Sequence, residues 1–429
     1  MKLYTAVTRL VLPAALIRLW WRSRAQPRYA SRWRERLGYG EALSGRPVWV
    51  HAVSVGETRA AAPLVRALLA DYPGVPVLVT TTTLTGATHV GMLFGDTVIH
   101  RFAPFDVPGA VRRFVRTARP RLAIILETEI WPHLFQALEE TKTPLVLANV
   151  RLSERSYQRY RRVRALMKRT LGIPAVIGAQ ALADATRLRA LGAPIERLHI
   201  TGNMKFELSP TAGLREAAQA LRYDWGERHV IVAASTHQGE EEMMLAAYET
   251  LRPAIAPALL VLVPRHPERF ESVDKLVRAR GLRAVLRSSG LPVTADTEVL
   301  VGDTMGELML FFAAADCAFI GGSLVETGGH NPLEALALGV PVVFGPHMFN
   351  FGEIARLTVG AGAGIQVKDQ AGLVTALRRY IQDRGAREAA GAAGERLLRA
   401  HQGACMRTLA LIAPFLAETR AGPGPTDRE

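Results

Sequence analysis

The chain has 429 residues, 49% of them hydrophobic, with 37 glycines and a formal net charge of +14. That length exceeds what one hydrophobic core covers and implies two domains or three, while the composition excludes a polytopic membrane protein and a disordered chain. Two cysteines, Cys317 and Cys405, supply neither a disulfide framework nor a cysteine metal site and fit a reducing cytoplasm.

The positive charge is uneven. Residues 1–40 carry nine Lys or Arg against Glu35, and residues 151–169 carry eight against Glu154. Such blocks attract polyanions, whether nucleic acid, anionic lipid headgroups or phosphorylated substrates, or else form solvated helix faces. The first block opens with KLYTAVTRLVLPAALIRLWWRSR, in which eight apolar residues separate Arg9 from Arg18. Spanning needs ~20 apolar residues, and a central arginine is costly. A shallow or tilted membrane anchor over residues 1–25 is therefore expected, with the arginines snorkelling to headgroups and Tyr4, Trp20 and Trp21 in the interfacial belt. The cluster RSRAQPRYASRWRER behind it suits an anionic leaflet. A buried amphipathic helix is the alternative; a cleaved signal peptide is not expected, because charge interrupts the apolar run.

From Val48 short apolar runs alternate with helical periods, the pattern of stacked βαβ units. Strands are predicted at 48–53, 75–82, 122–128, 144–150 and 198–203, with helices at 58–70 and 107–119 among those between them. After residue 207 the series begins again, with strands at 229–236, 259–267, 298–303, 317–322 and 340–346. The fold class is α/β, two doubly wound Rossmann-like parallel-sheet domains facing a cleft. The predicted division is 26–210 and 211–420, with a frayed tail at 421–429.

Polar residues cluster where the predicted strands end, the edge at which such sheets bind ligands. HAVSVGE places Glu57 on the first turn of a helix after the first strand. It is either a carboxylate serving that helix end or a general base. ETEIWP supplies Glu127 and Glu129, and GNMKFE supplies Lys205, a carboxylate–lysine set suited to a base, an orienting group and a charge clamp, or to an ordinary ion pair. TTTTLTG, 80–86, either lines an acceptor site or simply ends a strand. In the second half VPRHPERF puts Arg265 and His266 after a strand, as cations able to stabilise a leaving group. GDTMGEL offers backbone donors at Met305 and Gly306. FIGGSLVETGGHNPLEALALGVPVVFGP, 319–346, reads as strand, glycine-rich loop and helix, with Asn331 as cap and Pro332 at the first helical position. The N–H groups and dipole at the helix start suit a phosphate, and Glu334 either completes the cap or binds ribose hydroxyls. No D-x-D and no His/Cys spacing suited to a metal occurs, so a metal-dependent nucleotide-sugar site is not expected.

The ordered set HAVSVGE, TTTTLTG, ETEIWP, NVRLSERS, GNMKF, VPRHPERF, GDTMGEL and FIGGSLVETGGHNPLEALALGVPVVFGPHMFNF closely resembles the Kdo (3-deoxy-D-manno-octulosonic acid) transferases of lipopolysaccharide synthesis. The resemblance runs from the N-terminal segment to about residue 400. Ala335 stands where many members carry proline after LE. The resemblance implies an inverting, metal-independent GT-B glycosyltransferase without cofactor, with CMP-Kdo as donor and a phosphorylated lipid A precursor as acceptor. It also implies a place at the cytoplasmic face of the bacterial inner membrane, held by the N-terminal segment. Carried over by motif, Glu57 corresponds to the catalytic base and Glu127 and Lys205 to transition-state stabilisers. CMP is expected against Arg265, His266, Gly306, Glu307, Leu308, Asn331, Pro332, Leu333 and Glu334. The competing expectations are a GT-B enzyme using a UDP-sugar on a lipid-linked acceptor, and a non-catalytic membrane protein that senses nucleotide or anionic lipid. A nucleic-acid partner is not expected, since the basic blocks lack interleaved stacking aromatics.

Overall fold

Fourteen β-strands, each three to eight residues long, carry the described part of the chain, residues 1–25, 32–208 and 211–417 of a computed structural model. The cluster at 26–31 and the tail at 421–429 lie outside the described residues. In the first half the strands are β1 (Val48–His51), β2 (Val77–Thr81), β3 (Ile99–Phe102), β4 (Leu122–Leu126), β5 (Leu145–Val150), β6 (Val176–Ala179) and β7 (Leu198–Ile200). They form one parallel sheet in the order β3-β2-β1-β4-β5-β6-β7. Because β1 lies centrally and the chain leaves it first toward β2 and then toward β4, the topological switch falls between β1 and β4, paired from Val48↔Leu122 to His51↔Ile125.

Alternation along the strands fixes the two layers. Val48, Val50, Val79, Ile124 and Val146 face one core, packed by Leu64, Val65 and Leu68 of the helix Val55–Asp71. Trp49, Leu78, Ile125 and Leu147 face the other, against Phe114 and Val115 of the helix Pro108–Ala118 and Leu134 and Phe135 of the helix Pro132–Glu140. Burial on both faces is what a parallel sheet requires, and it explains strands that read as unbroken apolar runs.

The second half repeats the plan with β8 (His229–Thr236), β9 (Ala258–Pro264), β10 (Ala284–Leu286), β11 (Val299–Val301), β12 (Cys317–Ile320), β13 (Val342–Phe344) and β14 (Gly364–Gln366). The order is β10-β11-β9-β8-β12-β13-β14, again parallel, with the switch between β8 and β12.

The units are Met1–Glu207 with the chain from Gln402 onward, and Leu208–His401. This differs from the predicted assignment of 211–420 to a single second domain. The last α-helix among the described residues, Ala404–Ile412, buries Ala404, Cys405, Leu409 and Ile412 in the core of the first unit. Glu207 reinforces the junction, its Oε1 accepting from the N–H groups of Gly403 at 2.7 Å and Cys405 at 3.1 Å. A linear reading of βα periods contains nothing that sends a C-terminal helix back to the first unit.

The N-terminal segment forms one helix, Lys2–Ala25, continuing through Pro13. Its stretch Lys2–Trp21 is long and apolar enough to cross a membrane, and none of it is buried. Leu3, Leu10 and Trp21 are exposed, which removes the alternative of a buried amphipathic helix. The helix is tied to the first unit by Tyr4, whose hydroxyl donates to Asp106 Oδ2 at 2.7 Å. The basic segment after Ser153 forms two helices, Glu154–Arg161 and Arg164–Leu171, with Arg155, Arg159, Arg161, Arg162, Arg164, Lys168 and Arg169 exposed.

Candidate active site

The turn after β1 sets the position of Glu57. Ser54 caps the helix Val55–Asp71, its Oγ accepting from the Glu57 N–H at 3.4 Å and donating to Glu57 Oε1 at 3.1 Å. Glu57 Oε2 accepts from the Val53 N–H at 2.7 Å. This is a reciprocal cap, and it holds the carboxylate in one orientation. Glu57 is only 8% exposed. Burial first, with the charges of Glu127 and Glu129, raises its carboxyl to about 7 against the opposing hydrogen bonds from Val53 and Ser54. A carboxylate so poised exchanges a proton near neutrality. The helix-end reading and the base reading of the sequence are thus not exclusive: the cap supplies the orientation a base needs.

Glu127 follows β4, the neighbour of β1 across the switch. Its φ of 56° is left-handed, unusual for a residue with a side chain and costly by roughly 1–2 kcal/mol. Its Oε1 meets Lys205 Nζ at 2.8 Å. Lys205 is placed by a short 3-10 turn, Met204–Phe206, fastened from two sides: Asn149 Oδ1 accepts from the Met204 N–H at 2.9 Å and Asn203 Oδ1 from the Lys205 N–H at 3.0 Å. Asn149, at φ 57° within β5, is fully buried. Glu129 accepts from Trp131 Nε1 at 2.7 Å, and burial raises its carboxyl above the usual range. The structure therefore brings Glu57, Glu127, Glu129 and Lys205 to one edge of one sheet, at its switch point. The threonines of TTTTLTG are structurally engaged: Thr80 accepts from Trp49 Nε1, Thr82 donates to the Val53 carbonyl, and Thr83 caps the helix Leu84–Phe94.

In the second unit Arg265 and His266 follow β9, with the Arg265 N–H donating to the Thr236 carbonyl at 3.0 Å. Gly306 has φ 91°, where a side chain is disfavoured, and Met305 beside it is exposed. Glu307 turns its carboxylate to Arg287 at 2.7 Å, so its contribution to a ligand falls to its backbone. Asn331 Oδ1 accepts from the Leu333 N–H at 3.2 Å, but the short helix starts at Leu333 with Pro332 at the cap position and no side-chain cap, so Asn331 and Pro332 each stand one residue earlier than expected. Glu334 is buried on that helix.

The first N–H groups of the glycine-rich loop, ahead of the helix start at which a phosphate is expected, are taken by fully buried Glu240. It accepts from Gly322 at 2.6 Å and from Ser323 and Leu324 at 2.9 Å, and also from the His237 N–H at 3.0 Å. A carboxylate with four N–H donors is a satisfied buried charge and a brace for both loops. Gly321 passes so close to Ser235 that a Cβ there would lie 2.4 Å from its carbonyl oxygen. Glu240, His237, His330 and Asn149 were absent from the predicted site. Only the place of His237 directly after the strand 229–236 signalled it.

Two seven-stranded parallel sheets, each with polar side chains gathered at its switch point, are the plan of a GT-B glycosyltransferase. UDP-GlcNAc 2-epimerase from Neisseria meningitidis shares the fold, at 12% identity and a TM-score of 0.56 over 87% of this chain and all of that one. Residues 31–208 match the family model described as 3-deoxy-D-manno-octulosonic-acid transferase, and residues 279–397 match glycosyl transferases group 1. Similarity extends over nearly the whole chain to the 3-deoxy-D-manno-octulosonic acid transferases of Haemophilus influenzae and Bordetella pertussis. The first is 41% identical over 96% of this chain and 98% of its own length, the second 36% identical over 96% and 99%. The chain belongs to the 3-deoxy-D-manno-octulosonic acid (Kdo) transferase family.

Proposed function

We propose that the chain transfers Kdo from CMP-Kdo to a phosphorylated lipid A precursor with inversion at the anomeric carbon. The observation that carries this reading is the raised, oriented carboxylate of Glu57 beside the Glu127–Lys205 pair at the switch point of the first sheet. In the reaction the acceptor hydroxyl loses its proton to Glu57 as its oxygen bonds to C2 of Kdo. The C2–O bond to phosphate breaks on the opposite face, and CMP leaves with the electron pair. Lys205, held by Glu127, offsets charge that develops along this path. CMP is held by Arg265 and His266, by the backbone of Gly306, Glu307 and Leu308, and by Asn331, Pro332, Leu333 and Glu334. Cationic side chains take the part a metal plays elsewhere, so chelators leave turnover unchanged.

The exposed apolar helix Lys2–Trp21 and the exposed arginines between Arg155 and Arg169 suit the cytoplasmic face of an anionic inner membrane, where the acceptor lies. The test is mass spectrometry of a tetra-acylated lipid A precursor incubated with the protein, CMP-Kdo and a chelator. The expected product is heavier by one or more Kdo residues, with equimolar CMP. An unmodified acceptor, or transfer from a UDP-sugar instead, contradicts the reading.

A further inference from the structure

His237 and His330 have no part in the roles above, yet they flank the switch point of the second sheet: His237 directly follows β8 and His330 closes the loop after β12, the adjacent strand. Their Nε2 atoms are 2.8 Å apart. With ring planes 7° apart and centroids 5.1 Å apart, the imidazoles lie end to end in a common plane. Two nitrogens at that distance need one proton between them, so one ring is the Nε2–H tautomer and the other carries its proton on Nδ1. A third proton fits only on the remaining Nδ1 and yields a cation spread over both rings.

The surroundings oppose that third proton when nothing is bound. Arg265, Arg269 and His266 face the pair, and His266 meets His237 edge-on with centroids 5.4 Å apart. The acidic group that faces it, Glu240, is already engaged by four N–H donors. Burial first, then Arg265 and the partner histidines, hold His330 down to about 3, and burial lowers His237 as well. An anion seated here reverses the balance, because it favours the charged pair and is itself favoured by the neighbouring cations. The rings have little room to rearrange: a Cβ at Gly322 would lie 3.1 Å from the His330 ring and 2.7 Å from Thr327 Oγ1.

We propose that the His237–His330 pair is an anion-binding subsite for the activated sugar donor, and that it takes up one proton from solvent as the donor's anionic group seats and returns it when product leaves. The subsite rests on the donor reading given under Proposed function. The shared chemistry is an oxyacid anion, which the donor carries twice, as its phosphodiester and as the sugar carboxylate.

The test is isothermal titration of the full chain, without acceptor, in two buffers of different ionisation enthalpy, which counts protons taken up per ligand bound. The probes are CMP-Kdo, the methyl ester of CMP, which has a phosphodiester and no sugar acid, and free Kdo, which has the carboxylate alone. Wild-type protein is expected to take up close to one proton with CMP-Kdo, its affinity falling about tenfold per pH unit as pH rises through the uptake range. Uptake also seen with the methyl ester assigns the phosphate; uptake confined to ligands bearing the sugar acid assigns the carboxylate. His330→Gln and His237→Gln keep a hydrogen-bonding group near Nε2 but cannot be charged. Each is expected to weaken CMP-Kdo by about tenfold or more and to abolish uptake, with melting temperatures checking the fold. Binding of CMP-Kdo to wild type without proton uptake overturns the subsite and leaves the donor assignment intact, as do variants that match wild type in affinity and uptake. Failure of CMP-Kdo to bind wild type at all overturns the donor assignment itself. If one variant does not fold, wild-type uptake and the other variant decide.

Discussion

Replacing Glu57 by Gln lowers kcat/KM for Kdo transfer by about 10²–10⁴-fold while donor affinity stays within a small factor of wild type. The amide keeps the shape: its oxygen still accepts from the Val53 N–H and its NH2 donates to Ser54 Oγ in place of the hydrogen bond that Glu57 accepts there, so the turn is held while the base is lost. A carboxylate serving only its helix end is worth ~0.3–1 kcal/mol, and its removal leaves turnover nearly intact. The same variant carries an opposite signature in stability. The folded-state pKa of Glu57 is raised from 4.5 to about 7. Its favourable contribution is therefore complete below the unfolded value and is lost as pH rises from 4.5 through 7. Glu57→Gln removes that loss, and the variant should gain about 1–3 kcal/mol over wild type between pH 5 and pH 8 in denaturant melts. A variant that loses activity and stability together points to damage at the turn, not to a missing base.

Lys205→Met is expected to cost about 10²–10³-fold in kcat, the range for loss of one preorganised charge partner of a transition state. Its second effect separates it from a packing defect. Glu127 and Glu129 already push the Glu57 carboxyl upward, and Lys205 neutralises Glu127 at 2.8 Å. Without the lysine the bare Glu127 charge presses on Glu57, and the acidic limb of the rate profile moves to higher pH. Lys205→Arg restores the charge and returns the limb toward its wild-type position. A profile that stays in place in Lys205→Met, with only a uniform loss, indicates that Lys205 acts apart from Glu57.

Strand ends were legible in the sequence because parallel strands buried on both faces read as apolar runs, and the polar residue that ends each run marks the ligand edge. Glu57, Glu127, Lys205, Arg265 and His266 were found that way. The strands Ile99–Phe102, Val176–Ala179, Ala284–Leu286 and Gly364–Gln366 escaped, being three or four residues long and, except for Val176–Ala179, at sheet edges, where IHRF and GIQ carry polar side chains. The return of Ala404–Ile412 to the first unit was illegible for another reason: local periodicity specifies a helix but not which core it covers. Glu240 escaped for a third. In a run of three glutamates at the start of Glu240–Ile255 it reads as dipole complement, and only the fold brings Gly322, Ser323 and Leu324, more than 80 residues away in sequence, onto its oxygens.

The most direct measurement of the central claim is the pH dependence of kcat/KM for the lipid acceptor in the wild-type enzyme at saturating donor. With Glu57 as the base, log kcat/KM rises with unit slope through an acidic limb centred near pH 7 and then levels. A rate that is flat from pH 5.5 to 8, or a limb at the ordinary carboxylate value, would contradict it.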